Sequence, residues 1–373
     1  MSFNLFSKKA MQKRMKQTGS LISFMMMCSL AIWGCSKKGE EVDLPEDPPT
    51  AEPSDIWVRP IEGEEGNPCW GFKDGIQIGL APLSGPRGLI RLYAPYADQP
   101  QWKPFNFIAF EPTNHNNVKG FSEMEMSRMD NVQGLRFWSG NSENANEFPS
   151  PEFPAAGKVT WVGNKEQLSV YIFSEKFANG SDVFVKATFT AGRPYEVELT
   201  TYRPQTAQGV KFFTLSATMG NYARLRQLHL KGNQIKTAPQ LWPTYTGTGF
   251  TNRDVTDKAD MITDAKGGVW FVASPTENKP WEGAYAQGTA SNWIYRGTTY
   301  VTQYWYCAQP QSMMTGRVNG RYSYWLSQSP IPGGVAFENF ELVENFQIGA
   351  SYRFGLFPGK PEELIRKIGS GEY

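Results

Sequence analysis

Between residues 168 and 199 the side chains alternate with a period of two, and this constrains the fold more than any other feature of the chain. Leu168, Val170 and Ile172 fall on one face of an extended segment, and Val183, Val185, Ala187 and Phe189 on one face of the next. The second run turns through Ala191, Gly192, Arg193 and Pro194 into Val197 and Leu199. A half-buried strand repeats every second residue, whereas a helix would repeat every 3.6. Two such runs around turn-forming residues make a hairpin. Further strands are expected over 88–93, 105–111, 121–129, 211–218, 268–273, 293–307, 323–326, 335–342 and 350–357. With 14% aromatic residues, 36 glycines and 26 prolines, the chain suits many short strands joined by tight turns. One helix is expected, at the C-terminal end. Pro361 opens it, Glu362 and Glu363 fill its first turn, and Arg366 and Lys367 its last; these charges complement the helix dipole.

These elements point to an all-β protein, a large antiparallel β-sandwich over residues 56–373 with the short helix on the rim of a sheet. A jelly roll, or two small sandwiches meeting near residue 160 or 250, would satisfy the same pattern. Strand number, strand length and aromatic content, with the strings Phe105-Asn106-Phe107-Ile108-Ala109-Phe110-Glu111-Pro112 and Thr218-Met219-Gly220-Asn221, faintly resemble the supersandwich of galactose-mutarotase-like proteins. That resemblance identifies no characterised family.

The N-terminal end carries an address. Lys8, Lys9, Lys13, Arg14 and Lys16 precede a largely apolar stretch over 21–33, which ends at Gly34 and Cys35. Such a pattern is a secretory signal, and its apolar part is shorter than the roughly 20 residues a membrane-spanning helix needs. Leu30-Ala31-Ile32-Trp33-Gly34-Cys35 resembles the cleavage motif of bacterial lipoproteins. The resemblance implies removal of residues 1–34 and acylation of Cys35. Ser36-Lys37-Lys38-Gly39-Glu40-Glu41-Val42-Asp43 resembles the lysine-then-acid tether of surface-exported lipoproteins in the Bacteroidetes. Residues 35–55, with Pro45, Pro48, Pro49 and Pro53, are then an acidic extended tether. The expected location is the outer membrane, held by lipid and facing outward.

The leader holds five of the 37 basic residues and none of the 36 acids, so the mature chain is slightly acidic. This implies no nucleic-acid partner. Cys69 and Cys307 remain, either as a disulfide formed in an oxidising compartment or as two buried thiols. Two histidines and no close cysteine pair leave a zinc site short of ligands. Asp254, Asp257, Asp260 and Asp264 lack the glycine and rhythm of a calcium loop and read as a solvated segment. No metal and no cofactor is expected.

The chemistry that remains is acid–base. If 120–130 is a strand, Glu123, Glu125 and Ser127 share one face while Met124 and Met126 pack inward, leaving two carboxylates roughly 6 to 7 Å apart. Paired carboxylates are what most glycoside hydrolysis needs, one to protonate the leaving oxygen and one to attack or activate water. The same alternation also describes an ordinary half-exposed strand. Glu111 and Glu338 are the other candidates for the second acid. Arg91 could orient a substrate; Trp242, between Leu241 and Pro243, and Tyr304, in a run with Tyr300 and Tyr306, could offer flat rings to sugar faces. Arg224 and Arg226 could grip an acidic sugar or pair with glutamates. The expected function is binding or processing of carbohydrate, by hydrolysis or elimination if catalytic. A non-catalytic glycan-binding protein and a structural or adhesin-like surface protein are the alternatives.

Overall fold

The computed structural model describes residues 53–80, 87–95, 104–144, 153–207, 209–218, 224–280, 299–325 and 328–373. The leader, Cys35, the tether up to residue 52, Trp281 and Trp293 lie outside the described residues. The strands are β1 (Trp57–Val58), β2 (Cys69–Phe72), β3 (Gln77–Gly79), β4 (Leu89–Tyr93), β5 (Asn106–Asn114), β6 (Phe137–Gly140), β7 (Lys158–Val162), β8 (Lys165–Ser174), β9 (Phe184–Thr190) and β10 (Glu196–Tyr202). There follow β11 (Val210–Thr218), β12 (Leu225–His229), β13 (Ile235–Thr237), the single-turn helix α1 (Ala238–Leu241), β14 (Asp254–Asp257), β15 (Ile262–Thr263) and β16 (Val269–Pro275). The chain closes with β17 (Thr302–Cys307), β18 (Thr315–Arg321), β19 (Ala336–Val343), β20 (Ser351–Phe357) and α2 (Pro361–Ser370).

They form two antiparallel sheets. One has nine strands in the order β1-β2-β3-β4-β5-β11-β19-β18-β14, the other eleven built on β13-β12-β16-β17-β20-β10-β9-β8-β6, with β15 beside β16 and β7 beside β8. The inner faces follow the period of two. Ile108 and Phe110 on β5, Phe213, Leu215 and Ala217 on β11, and Phe340 and Leu342 on β19 meet Val170, Val185, Leu199, Phe271 and Phe354 of the other sheet in one core. That core draws on residues from Trp57 to Leu356, so the chain does not divide into two sandwiches near residue 160 or 250.

The predicted hairpin is β9–β10, with Gly192 at φ +84° in its turn. Helix α2 has both acids in its first turn and Gly371 as a left-handed C-cap. It packs on a sheet face, where the rim was expected: Leu364 and Ile368 are buried against Trp270, Val272, Tyr304 and Phe357, on the outer face of the eleven-stranded sheet.

The expected strand over 121–129 does not form. Residues 121–125 turn instead, and Met124 and Met126, expected inside, are 46% and 52% exposed. Conversely β18, whose glycine, asparagine and arginines hide a strand pattern, sits second from the edge of the nine-stranded sheet. No described helix is long and apolar enough to cross a membrane.

Candidate functional site: an acid cluster on the outer face of the nine-stranded sheet

Strands β5, β11, β19 and β18 are buried on both faces, and the outer face is polar. The registers align Leu89, Ala109, Ser216, Glu341 and Arg317 in one row across five strands. Thr218, Asn339 and Asn319 form the next row, and Glu111 lies opposite Thr214 on the other side. By simple alternation with Phe340 and Leu342, Glu338 would point into the core. A register shift where β18 passes Asn319 and Gly320 inserts one extra residue on β19 at Glu338, and a bulge of this kind re-aims a side chain. Glu338 feels the charges of Arg321 and Glu123, which places it on the polar face.

The chain after β5 folds back over that face. Asn114 accepts the amides of Asn116 and Val118 through its side-chain oxygen, both at 3.0 Å, closing a turn that brings Lys119 opposite Thr113. The Lys119 ammonium bonds the Glu111 carboxylate and lies 5.2 Å from the centre of the Phe121 ring. Next, Ser122 is fixed from three sides. Its hydroxyl accepts the Phe110 amide at 2.9 Å and donates to the Gly88 carbonyl, and its carbonyl accepts the Leu135 amide at 2.7 Å. Gly88, at φ +71°, is needed here, because a Cβ there would strike the Ser122 carbonyl. Glu123 is thereby carried over the sheet.

Four carboxylates from β5, β19 and this overlying turn therefore gather on one polar face, coupled through their charges. Glu111, Glu338 and Glu341 are each 1% exposed, and Glu123 is half-buried, so it marks the open side. Ser216 donates its hydroxyl to one Glu341 oxygen at 2.8 Å, and the other oxygen is buried with no hydrogen-bond partner among the described residues. Burial raises the proton affinity of Glu111, and the charges of Glu341 and Glu123 add to it while Lys119 opposes them. Burial likewise lifts Glu123 well above the ordinary carboxylate range, against the pull of backbone hydrogen bonding, Lys119 and Ser122. Glu338 is pushed up to about 7, again by burial first, with Arg321 opposing. Carboxyl groups in such surroundings can hold a proton near neutral pH and deliver it.

The sequence candidates divide around this cluster. Glu111, Glu123 and Glu338 are brought together, from segments more than two hundred residues apart. Glu125 is not with them; its carboxylate accepts the Phe121 amide at 3.2 Å and the Ala178 amide at 2.7 Å, bracing the turn. Arg91 is buried on the outer face of β4, opposite Phe107, with Ala109 lying between that position and Glu111 along β5. Trp242 packs edge-on against Phe337 at 6.0 Å and donates its indole N–H to the Asn252 carbonyl at 3.0 Å. Tyr304 is fully buried beneath α2 on the other sheet, its hydroxyl donated to Glu196 at 2.8 Å. Neither ring is a free platform. Arg224 and Arg226 both reach Glu277, at 3.4 and 2.7 Å, and Arg226 also donates to the Val335, Pro332 and Gly334 carbonyls. Cys69 and Cys307 stand on different sheets as free thiols, not a disulfide, and burial pushes each up to about 12. No group of His, Cys, Asp and Glu suited to a metal occurs among the described residues. Asp264 instead accepts from the Lys266 and Gly268 amides and the Trp270 indole.

Sequence reasoning missed Glu341, Lys119, Arg317 and Arg321. Glu341 had a signal, since it alternates with Phe340 and Leu342 on a strand buried on both faces. Lys119 had none, because only the turn after β5 brings it back to Glu111.

No protein-family model and no characterised protein matches the sequence. Among solved structures, a candidate mutarotase, YeaD from Salmonella typhimurium, aligns over 82% of this chain and 95% of its own, at 11% identity and a TM-score of 0.25. The HI1317 protein aligns over 81% of this chain and 98% of its own, at 10% identity and a TM-score of 0.20. Likeness this weak assigns neither substrate nor chemistry.

Proposed function

We propose that this chain is a lipid-anchored outer-membrane protein whose β-sandwich binds and processes carbohydrate at the acid cluster of the nine-stranded sheet. The observation that carries the reading is the gathering of Glu111, Glu123, Glu338 and Glu341 on one face of the sheet, three of them with raised proton affinity. Glycan hydrolysis and elimination both need one group that gives a proton to the leaving oxygen and another that accepts one or attacks. Glu338 suits the first role, being a carboxylic acid near neutral pH. Glu123, the less strongly raised member of the Glu111–Glu123 pair and the one at the open side, suits the second in its ionised form. Sugar hydroxyls would find partners in Asn339 and, beneath it, Asn319. The outward address rests on the leader and on Cys35.

The test uses the mature chain with Cys35→Ser, screened on a glycan array and followed by mass analysis of products. Turnover that Glu338→Gln abolishes and Glu125→Gln leaves within a few-fold supports these roles. Turnover that survives both Glu338→Gln and Glu123→Gln discards them, and binding without turnover reduces the protein to a glycan receptor.

A further inference from the structure

Beside Glu338 lies a group of side chains that the acid chemistry does not use. Arg321, at the end of β18, sits against two neighbouring rings: its guanidinium carbon is 5.3 Å from the centre of Phe250 and 4.8 Å from that of Trp325. The rings themselves lie 6.1 Å apart, tilted by 43°. Phe250 pairs with Arg321 as an isolated bridge, so the two side chains leave the backbone on the same side. Arg321 also lies opposite Ala336, whose partners in a small outer cluster are Tyr324 and Ile331, so this side is the polar outer face that carries the acids.

The arrangement is rigid. Arg321 donates to the carbonyls of Ser323 at 3.3 Å, Thr248 at 3.1 Å and Tyr324 at 3.5 Å. The loop bearing Phe250 is stitched to β18 next door, where Thr251 and Gly320 exchange bonds of 2.9 and 2.8 Å. Trp242 holds the same loop through Asn252. Yet Phe250 remains 47% exposed. A large apolar ring, fixed in place, backed by a cation and left open to water on the sheet face that carries the acids, is built to meet something with a flat apolar face.

We infer that Phe250 and Trp325, held by Arg321, form a stacking subsite for a pyranose ring next to the one acted on at Glu338, so that the preferred ligand is an oligosaccharide and not a single sugar. This rests on the carbohydrate reading above. A pyranose offers a patch of C–H groups to an aromatic face while its hydroxyls stay solvated or bonded, and a cation behind the ring reinforces its polarisation.

The experiment is calorimetric titration of the mature Cys35→Ser protein with a fixed panel, cello-, xylo-, manno- and maltohexaose and the matching monosaccharides. Phe250→Ala and Trp325→Ala should each weaken hexaose binding about tenfold, the size expected for loss of one ring contact. Phe250→Trp should restore it, and monosaccharide binding should move less than twofold. Trp161→Ala, which removes an exposed indole on the other sheet, is the control and should change nothing. Hexaose binding unchanged by Phe250→Ala in a protein that melts like wild type overturns the subsite and leaves the acid site standing. Equal losses for hexaose and monosaccharide also overturn it. A wild-type protein that binds none of the panel overturns the carbohydrate reading and this subsite together.

Discussion

Glu338→Gln should make the protein more stable as the pH rises, and the gain can be sized from the structure. The carboxyl is fully buried, and its value moves from 4.5 to about 7 on folding. Between those limits the unfolded chain has released a proton that the native chain keeps. Stability therefore falls as the pH climbs from 4.5 through 7, and is fully reduced above it. The gap corresponds to roughly 3 kcal/mol between the two ends of the window. Glutamine has nearly the same shape and never ionises, so it removes this dependence. Any cost of its own amide is the same at every pH and cancels in the comparison. The assay is urea unfolding of both proteins at pH 5 and pH 8.5, read by tryptophan fluorescence. The stability difference, variant minus wild type, should be about 2.5 kcal/mol more favourable at pH 8.5 than at pH 5, because part of the effect is already present at pH 5. In a chain of this length that is a shift of about 4 °C in Tm. A difference that stays flat across this range refutes the claim that the native fold holds Glu338 as a neutral acid.

Three further outcomes follow from other contacts. Lys119→Met removes a charge that lowers both Glu111 and Glu123, so both should keep their protons to higher pH and any alkaline limb of activity should move upward; a pH–rate profile or carboxyl NMR titration checks the direction. Unfolding the mature Cys35→Ser chain without reductant should expose two thiols to a colorimetric reagent, from Cys69 and Cys307, and a count of zero would mean that they are bonded. Leu364→Ala empties the centre of the α2 contact with the eleven-stranded sheet and should cost about 2 to 5 kcal/mol by denaturant unfolding, while leaving glycan binding unchanged.

The hairpin β9–β10, strands β5, β11, β16, β19 and β20, and helix α2 were readable because each carries its own pattern, an alternation or a capped turn, within a single segment. The stretch 120–130 misled for the same reason. Its alternating acids and methionines imitate a strand, but Ser122 is committed to three backbone partners, which forces a turn and leaves the methionines in water. Strand β18 was invisible because its core face carries Gly316, Val318 and Gly320, with one apolar side chain among the three, while Arg317, Asn319 and Arg321 take the outer face.

The candidate site was half legible. Three of its four acids could be named because carboxylates within strand-like runs are conspicuous, but their grouping depends on strand order, which no local pattern encodes. Glu111 and Glu341 meet because β11 separates β5 from β19, and Glu338 joins them only through a bulge that breaks the alternation by which it would be judged. The rings were misassigned for a related reason. An aromatic side chain looks the same in sequence whether it seals a core, as Tyr304 does, or faces water, as Phe250 does, and the difference is made by what the opposite sheet and the loops place over it. A carboxylate is costly to bury without compensation, whereas a ring is not. Buried acids are therefore the more informative of the two, and the clustering of four of them, against the pull of water, is the observation on which the proposed chemistry stands.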